Sequence, residues 1–421
     1  MPNKSEIISG FCDRIVYCAI ILLPFVASFS SAGVDAMIGI SGFFFLLKKI
    51  LRKDHSPVNI PILGAFICLI VISLVSFFNT INLKSSIHGI EKLLKYGILF
   101  VTVADSLKDK KHLKWILFAL ISGLVMASLD GFYSMVFGKD LFRQMPPNYV
   151  IGLIRIRAAF PDANLFAGYL ALFSPVLLGI TLYHVKGRLK GIMLLVSVLV
   201  LVNLIFTLSR SAIFGVWLAL LFMGILKRDK VIIFLLILSL LITPFIMPRQ
   251  IKGWINSSNS IWEVLLNGDS QSAGRLPLFK VALEMIKSHP FIGVGVNTFS
   301  INFKIYKAIG KIDFPYPGDW YAHNIYLHLP AEIGLVGLAI FLYMLFLIFK
   351  TWVKFNRETQ DAFLKISGMG IIAGIIAFLV NGLTETNLYN PKVATLLFFM
   401  IGLFFGVNKI AKGVVYEKKQ N

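Results

Sequence analysis

The strongest constraint in this sequence is a series of long apolar runs that alternate with short clusters of lysine and arginine. The runs extend from Ile15 to Val407, and many approach the roughly 20 residues that a helix needs to cross a bilayer. Only 15% of the residues are charged and the mean hydropathy is +0.80, whereas a soluble protein carries roughly 25% charged residues. The sequence therefore predicts an all-α, polytopic integral membrane protein.

The apolar runs predict about twelve transmembrane helices. We place them near 15–31, 33–47, 60–79, 89–104, 115–136, 163–184, 191–208, 211–226, 231–247, 325–349, 366–383 and 393–408. The segment at 89–104 is the least regular, because Glu91, Lys92 and Lys95 interrupt its start. The chain divides into N-terminal transmembrane helices (1–162), a membrane core with a large outer loop (163–408) and a basic cytoplasmic tail (409–421).

The net charge of +20 does not indicate a nucleic-acid partner, because most basic residues lie in clusters after every second apolar run. Such clusters begin at Lys48, Lys108, Lys186 and Lys227. This is the positive-inside pattern of membrane proteins, and it predicts that both termini are cytoplasmic. The predicted outer loops are 80–88, 137–162, 209–210, 248–324 and 384–392.

The largest outer loop, 248–324, contains a predicted helix from Arg275 to Ser288. Its apolar face is predicted from residues spaced at helical intervals, and we expect this face to pack on the bilayer or on the helical bundle. The face consists of Leu276, Phe279, Leu283 and Ile286. The segment from Gly293 to Thr298 lacks the third glycine of a dinucleotide-binding loop, so we interpret it as a turn.

Arg210 is the most informative single residue. The segment between the basic clusters at Lys190 and Lys227 is about 54 Å long as a helix, which corresponds to roughly two tilted crossings. Arg210 lies near its midpoint and is therefore predicted at the outer end of a tight helical hairpin. An arginine at membrane depth is unfavourable unless it is paired or faces water. It is either an interfacial residue that contacts lipid phosphate or a fixed cation for a substrate phosphate.

More arginines are predicted on the same outer side. Arg155 and Arg157 precede the span that begins near 163, and Arg275 begins the loop helix. Guanidinium groups bind phosphate oxygens in bidentate fashion and keep their charge. Arginines that converge from separate outer loops indicate an anion site, although lipid headgroups would attract them as well.

His323 is the candidate base, because histidine transfers protons near neutral pH. It lies with Asn324 where the large loop re-enters the membrane, and a structural role at the helix start is the alternative. The spacing of His323 and His328 does not match a metal motif, so no metal is predicted. Glu385, in the last outer loop, either orients His323, contacts sugar hydroxyls or pairs with an arginine.

Taken together, these motifs resemble the superfamily of O-antigen ligases and O-antigen polymerases, best between about 155 and 407. The motifs that carry the resemblance are Arg155-Ile156-Arg157 with Asn164-Leu165-Phe166-Ala167, Thr207-Leu208-Ser209-Arg210-Ser211-Ala212, Ser272-Ala273-Gly274-Arg275, Pro290-Phe291-Ile292-Gly293-Val294-Gly295, His323-Asn324-Ile325-Tyr326-Leu327, Glu332-Ile333-Gly334-Leu335-Val336-Gly337 and Thr384-Glu385-Thr386-Asn387. Each motif is short, and the specificity lies in their order and spacing.

The resemblance implies a GT-C-type glycosyltransferase of the bacterial inner membrane that needs no metal, cofactor or nucleotide sugar. Its donor would be a glycan on undecaprenyl pyrophosphate, and in ligases the acceptor is the lipid A–core oligosaccharide. Carried onto this chain, Arg210, Arg275 and the weaker candidate Arg157 would bind the pyrophosphate, and His323 would be the general base.

Arg155, Asn324 and Glu385 are candidate supporting residues. Two alternatives remain for the function. An O-antigen or capsule polymerase would share the fold and the donor. A transporter or lipid flippase would instead show an inverted repeat, broken helices and ionisable residues at mid-membrane.

Overall fold

A computed structural model describes residues 4–52, 60–150, 153–246, 275–314, 318 and 320–420. The helices are α1 (Lys4–Val26), α2 (Ser31–Leu51), α3 (Leu63–Val75), α4 (Leu83–Ser106), α5 (Lys110–Phe137), α6 (Ala163–Tyr183), α7 (Gly187–Phe206), α8 (Arg210–Lys227), α9 (Lys230–Ile246), α10 (Arg275–Ser288), α11 (Phe299–Ile309), α12 (Ile325–Glu358), α13 (Ala362–Asn381) and α14 (Pro391–Gln420). A short antiparallel hairpin of β1 (Asn148–Val150) and β2 (Leu153–Arg155) lies between α5 and α6.

The predicted membrane class is confirmed, and a helix lies at each of the twelve predicted segments. Within the described part of the chain, eight helices are long and apolar enough to cross a membrane: α1, α5, α6, α7, α8, α12, α13 and α14. The apolar helices α3 and α9 are shorter, and α2 and α4 fall outside the same criterion. Twelve crossings therefore stay a prediction.

Short polar side chains determine where several helices begin. Asp109, Asp162, Asn324 and Asp361 each precede a helix, and each accepts a hydrogen bond from a backbone N–H in the first turn. Such N-caps satisfy donors that the helix itself leaves unpaired, and each typically stabilises a helix by about 1 kcal/mol. The helix starts thus follow from local sequence.

The centre of the bundle is formed by α6, α13 and α14, most of whose membrane-length segments are buried. Helix α13 packs against α6 and α8, α14 packs against α4, and α12 packs against α3. One continuous hydrophobic core contains side chains from α1 to α8 and from α12 to α14. A second, smaller core is formed around α10 and α11. The remaining helices leave one apolar face exposed, as expected of helices that face lipid.

Ion pairs gather several of the basic clusters at one end of the bundle, here called the basic end. Asp13 accepts from Lys48 at 3.0 Å, from Arg52 at 2.9 Å and from Lys108 at 3.0 Å. Because Lys48 and Arg52 come from one predicted cytoplasmic segment and Lys108 from another, their convergence agrees with the positive-inside pattern. The opposite end, where α4, α8 and α12 begin, is called the site end.

Helix α12 is interrupted near the site end. Ile333 (φ −124°, ψ 17°) and Gly334 (φ 73°, ψ 173°) leave the helical conformation. Backbone groups freed in this way must find partners within the protein when water is excluded. The segment 290–297, here called the strap, supplies them: Val294 N donates to the Ala331 carbonyl at 2.9 Å and Gly295 N to the Glu332 carbonyl at 3.0 Å.

The strap is also joined to the start of α4. Ser85 Oγ donates to the Asn297 carbonyl at 2.6 Å, and Ser86 Oγ donates to the Val296 carbonyl at 3.1 Å. Gly293 has φ 71°, and a Cβ at this residue would overlap the Glu332 backbone. The glycines of this motif therefore allow backbone to approach backbone, and the segment predicted as a turn is an inter-helix connection.

Helix α10 has the predicted bounds, but the predicted apolar face is wrong. The buried residues are Leu278, Val281, Ala282 and Met285, whereas Leu283 is 43% exposed. Both sets have helical spacing, because apolar residues occur on more than one side of this helix. Periodicity alone could not choose between them, and packing against α11 and α12 decides it.

The strap geometry predicts a large effect for Gly334→Ala. The positive φ and the overlap of a Cβ with the Phe291 carbonyl should destabilise the folded protein by at least about 2 kcal/mol. Thermal unfolding of the purified protein in detergent measures this change. Gly39→Ala, at an exposed helical glycine with open space around it, is the matched control, and an equal effect of the two changes would contradict the interpretation.

Candidate functional site

The turn between α7 and α8 has the predicted position and presents Arg210 at the site end. Thr207 is fully buried, and its Oγ1 donates to the Leu204 carbonyl at 2.6 Å and accepts from Ser209 N at 3.2 Å. Leu208 adopts a left-handed conformation with φ 52°. Helix α8 then begins at Arg210, whose side chain is exposed. The motif therefore builds a tight hairpin that places an arginine at its tip.

Arg155 links this hairpin to the rest of the site. Its Nε donates to the Thr207 carbonyl at 2.7 Å, and its Nη2 donates to Asn164 Oδ1 at 2.5 Å. Burial lowers the pKa of Arg155, whereas the negative charges of Glu385 and Asp162 favour its charged form. Arg155 is thus held in one orientation among charged groups.

Glu385 joins two of the predicted site residues. Its Oε1 accepts from Arg275 Nη2 at 2.5 Å, and its Oε2 lies 3.2 Å from His323 Nδ1. The Glu385 side chain is only 6% exposed, compared with 39% for Arg275 and 30% for His323. Of the roles considered for Glu385, the structure contains both the contact with the histidine and the contact with a loop arginine.

This contact orients the imidazole of His323. A carboxylate only accepts hydrogen bonds, so the ring donates through Nδ1, and in the neutral form of this tautomer the lone pair is on Nε2. His323 has φ 46°, a left-handed conformation that histidine adopts more readily than most residues. Asn324 fixes the backbone beside it, because its side chain caps α12 and its Nδ2 donates to the Leu383 carbonyl at 2.9 Å.

The arginines Arg155, Arg210 and Arg275 form a cationic cluster. The positive charge of Arg275 lies close enough to those of Arg155 and Arg210 to repel both. The three residues come from β2 and from the first residues of α8 and α10. Guanidinium groups held close together in this way are chemically suited to an anion with several oxygens.

Arg157 is placed differently from the other predicted arginines. It is 7% exposed, and its Nη1 donates to the Pro161 carbonyl at 2.9 Å. Nearby, the Lys392 ammonium lies 3.8 Å from the centre of the Phe160 ring. Arg157 therefore stabilises the loop before α6 through its hydrogen bond to Pro161 and does not share the Glu385 contacts.

A buried acidic residue was missed by sequence reasoning. Glu332 is 1% exposed, and it accepts from Asn297 N at 2.7 Å and from Phe299 N at 2.9 Å. Its Oε1 also lies 3.3 Å from His328 Nε2. The sequence does indicate a special role for Glu332, because a glutamate inside an apolar run needs a specific partner. Glu332 caps the start of α11 and holds the strap.

A polar contact made by Ser211, the residue after Arg210, was not predicted from the sequence. Ser211 Oγ lies 2.8 Å from Oδ1 of the fully buried Asn381. Asn387, also buried, lies against Gly168 of α6. The first contact joins the start of α8 to the end of α13, and Asn387 places the loop that carries Glu385 against α6.

The fold and the site define a class: a multi-pass membrane protein with a cationic cluster and a carboxylate-bound histidine at one end of its helices. Residues 195–342 match the family model described as O-antigen ligase. The matched segment is about a third of the chain and supports a relation to the O-antigen ligase superfamily. It contains Arg210, Arg275 and His323, whereas Arg155 and Glu385 lie outside it. Members of this family are membrane glycosyltransferase-like ligases and polymerases. A comparison with curated protein sequences gives no significant match.

The cationic cluster predicts binding of inorganic pyrophosphate to the purified protein. Arg275→Gln or Arg210→Gln should weaken this binding by about 2 kcal/mol, or roughly thirtyfold in Kd, because each removes a charge-assisted hydrogen bond. Isothermal titration calorimetry in detergent measures the change. Arg143→Gln removes an exposed arginine of the loop before α6 that lies outside the cluster, and a similar loss there would show that only general charge attraction is involved.

Proposed function

We propose that the protein is an O-antigen ligase that transfers a glycan from undecaprenyl pyrophosphate to the lipid A–core oligosaccharide. The observation that carries this proposal is the Glu385 carboxylate, which binds a histidine with one oxygen and an arginine with the other. A base and an anion-binding cation are thereby held at a fixed separation. This is the arrangement that glycosyl transfer from a diphosphate donor requires.

In the proposed reaction, an acceptor hydroxyl gives its proton to His323 Nε2 and its oxygen attacks the anomeric carbon of the donor sugar. The bond from that carbon to the pyrophosphate oxygen breaks, and the electron pair leaves with undecaprenyl pyrophosphate. Because attack and departure occur on opposite faces, the configuration inverts. Glu385 stabilises the imidazolium that forms, as a carboxylate does for a histidine base.

Charge on the leaving group is stabilised by the cationic cluster in a site from which water is partly excluded. Arg275 contacts Glu385 through one terminal nitrogen, and a guanidinium has five N–H donors. The remaining donors suit phosphate oxygens, so Arg275 can bind the donor while it remains paired. Arg210 supplies a second cation, and Arg157 is the weaker candidate because it is buried.

The location of the site follows from the same proposal. If the basic end faces the cytoplasm, as the positive-inside rule predicts, then the site end faces the periplasm of the inner membrane. A lipid-linked glycan and lipid A–core would both be available there. No nucleotide sugar is then needed, because the glycosyl–pyrophosphate bond supplies the driving force.

A polymerase remains the nearest alternative, since it uses the same donor and differs only in the acceptor. Product analysis distinguishes the two. The purified protein is mixed with a lipid-pyrophosphate glycan and with lipid A–core. A ligase yields glycan-bearing lipid A–core, whereas a longer lipid-linked glycan formed without lipid A–core would identify a polymerase.

Two observations among the described residues favour a transporter: the interruption of α12 and the buried pair of His328 and Glu332, because broken helices and ionisable residues inside the membrane are typical of transporters. In this chain, however, the freed carbonyls of Ala331 and Glu332 are bound by the strap. They are therefore not available to coordinate a transported ion. Lipid translocation in proteoliposomes without any glycan transfer would support the transporter and contradict the ligase.

His323→Ala is expected to reduce glycan transfer by at least about a hundredfold, because general-base catalysis commonly contributes 10²–10⁴-fold in rate. The initial rate of transfer by equal amounts of purified folded protein measures the effect. His88→Ala, which alters an exposed histidine paired with Glu91, should keep the wild-type rate. Wild-type transfer by His323→Ala would remove His323 from the chemistry.

Arg275→Lys is expected to lower transfer by about a hundredfold, corresponding to roughly 3 kcal/mol of transition-state stabilisation. Lysine keeps the charge but cannot contact Glu385 and a phosphate group as a planar fork. Steady-state kinetics with varied donor concentration measure this loss. Lys280→Arg, at an exposed position of the same helix, serves as control, and an unchanged kcat/KM in Arg275→Lys would exclude Arg275 from the donor site.

A further inference from the structure

A second histidine, which the proposed reaction does not use, is buried in the first part of α12. His328 is fully buried, and its Nδ1 accepts a hydrogen bond from Ala322 N at 3.4 Å. Ala322 is the residue before the proposed base, His323. The imidazole of His328 therefore binds the backbone next to the base, although it lies five residues further along the chain.

The direction of this hydrogen bond implies the tautomer of His328. A backbone N–H only donates, so Nδ1 carries the lone pair, and the ring is neutral with its proton on Nε2. Nε2 lies 3.3 Å from Glu332 Oε1, and Glu332 accepts from Asn297 N and Phe299 N. The two ring nitrogens thus connect the segment before the base with the carboxylate that holds the strap.

Aromatic rings hold the imidazole of His328 in place. Its centroid lies 4.4 Å from that of the Phe299 ring, which is stacked on it, 3.7 Å from that of Tyr389 and 5.6 Å from that of Tyr321. Tyr389 belongs to the loop that carries Glu385. His328 therefore contacts both the segment that leads to the base and the loop that supplies its carboxylate partner.

The backbone of His323 needs support on both sides. Its φ of 46° is a left-handed conformation, which a residue other than glycine keeps only where the surrounding structure enforces it. On the following side, Asn324 caps α12 and binds the Leu383 carbonyl. On the preceding side, Ala322 is fully buried and its N–H is bound by His328.

We propose that His328 is a positioning residue, which sets where the His323 imidazole lies relative to Glu385. This inference rests on the proposed function, in which His323 is the base. His328 itself is buried and need not touch a substrate. A base displaced by about 1 Å can lose about a hundredfold in rate, so loss of the Ala322 contact should lower kcat. Binding of the donor should be unaffected, because the cationic cluster lies on other segments.

The test compares two substitutions that separate hydrogen bonding from packing. His328→Asn keeps an acceptor near the position of Nδ1 but loses the stacked ring, whereas His328→Phe keeps a ring but has no acceptor. His328→Phe should lower kcat for glycan transfer about a hundredfold at unchanged donor KM, and His328→Asn should keep kcat at least about tenfold above that of His328→Phe. Steady-state kinetics of the purified folded proteins in detergent, below both unfolding temperatures, measure these values.

His184→Phe is the matched control, since His184 is an exposed histidine at the end of α6, and it should keep the wild-type kcat. A role in packing alone predicts the reverse order of the two His328 variants, with His328→Phe the more active. That order, or a fall in kcat that only follows the folded fraction, would overturn the positioning role but leave the enzyme.

NMR of the histidine ring nitrogens in the full-length protein gives a readout that needs neither transfer nor a folded variant. Wild-type His328 should show an unprotonated Nδ1, and a protonated Nδ1 would overturn the proposal. The ring signals of His323 should shift in His328→Phe but not in His184→Phe, and unchanged signals in both would also overturn it. The expected spectra without glycan transfer by the wild type would contradict the proposed function but support the coupling of His328 to His323.

Discussion

Within a bilayer, each backbone N–H and C=O needs a partner inside the protein, and this requirement governs the central part of the molecule. An uninterrupted helix satisfies it automatically, but α12 is broken at Ile333 and Gly334. The strap restores the missing hydrogen bonds through Val294 and Gly295. A segment from the large loop is consequently part of the membrane bundle, and the position of α10 and α11 depends on it.

The site depends on Glu385, which side chains from two other segments contact. A buried carboxylate without partners would be strongly unfavourable, and Glu385 is satisfied by His323 and Arg275 from two other segments. Burial of Asp162 together with the nearby charge of Glu385 raises the pKa of Asp162. The cations and carboxylates of this end therefore balance one another, and an arriving diphosphate would add negative charge where cations are already held together.

Local features of the sequence predicted a large part of the fold. The spacing between Lys190 and Lys227 located the hairpin tip at Arg210. Helices α5 and α13 begin four or five residues before their predicted spans, at the caps Asp109 and Asp361. Periodicity failed for the face of α10 because two apolar stripes compete. The strap and the Glu385 contacts join residues separated by 35 to 220 positions in the chain, and no local pattern contains such information.

The strap and the contacts around Glu385 both hold the first part of α12, before its break. The first turns of α12, from Ile325 to Glu332, are held on one side by the strap and on the other by α13, where Ile325 N donates to the Gly382 carbonyl at 2.8 Å. Because the break separates these turns from the rest of α12, the long transmembrane part does not by itself determine where His323 lies. In the proposed reaction His323 is the base, and a displacement of about 1 Å would already cost much of the rate. The strap and the end of α13 hold the helix turns that follow His323, so contacts outside the cationic cluster set the position of the imidazole.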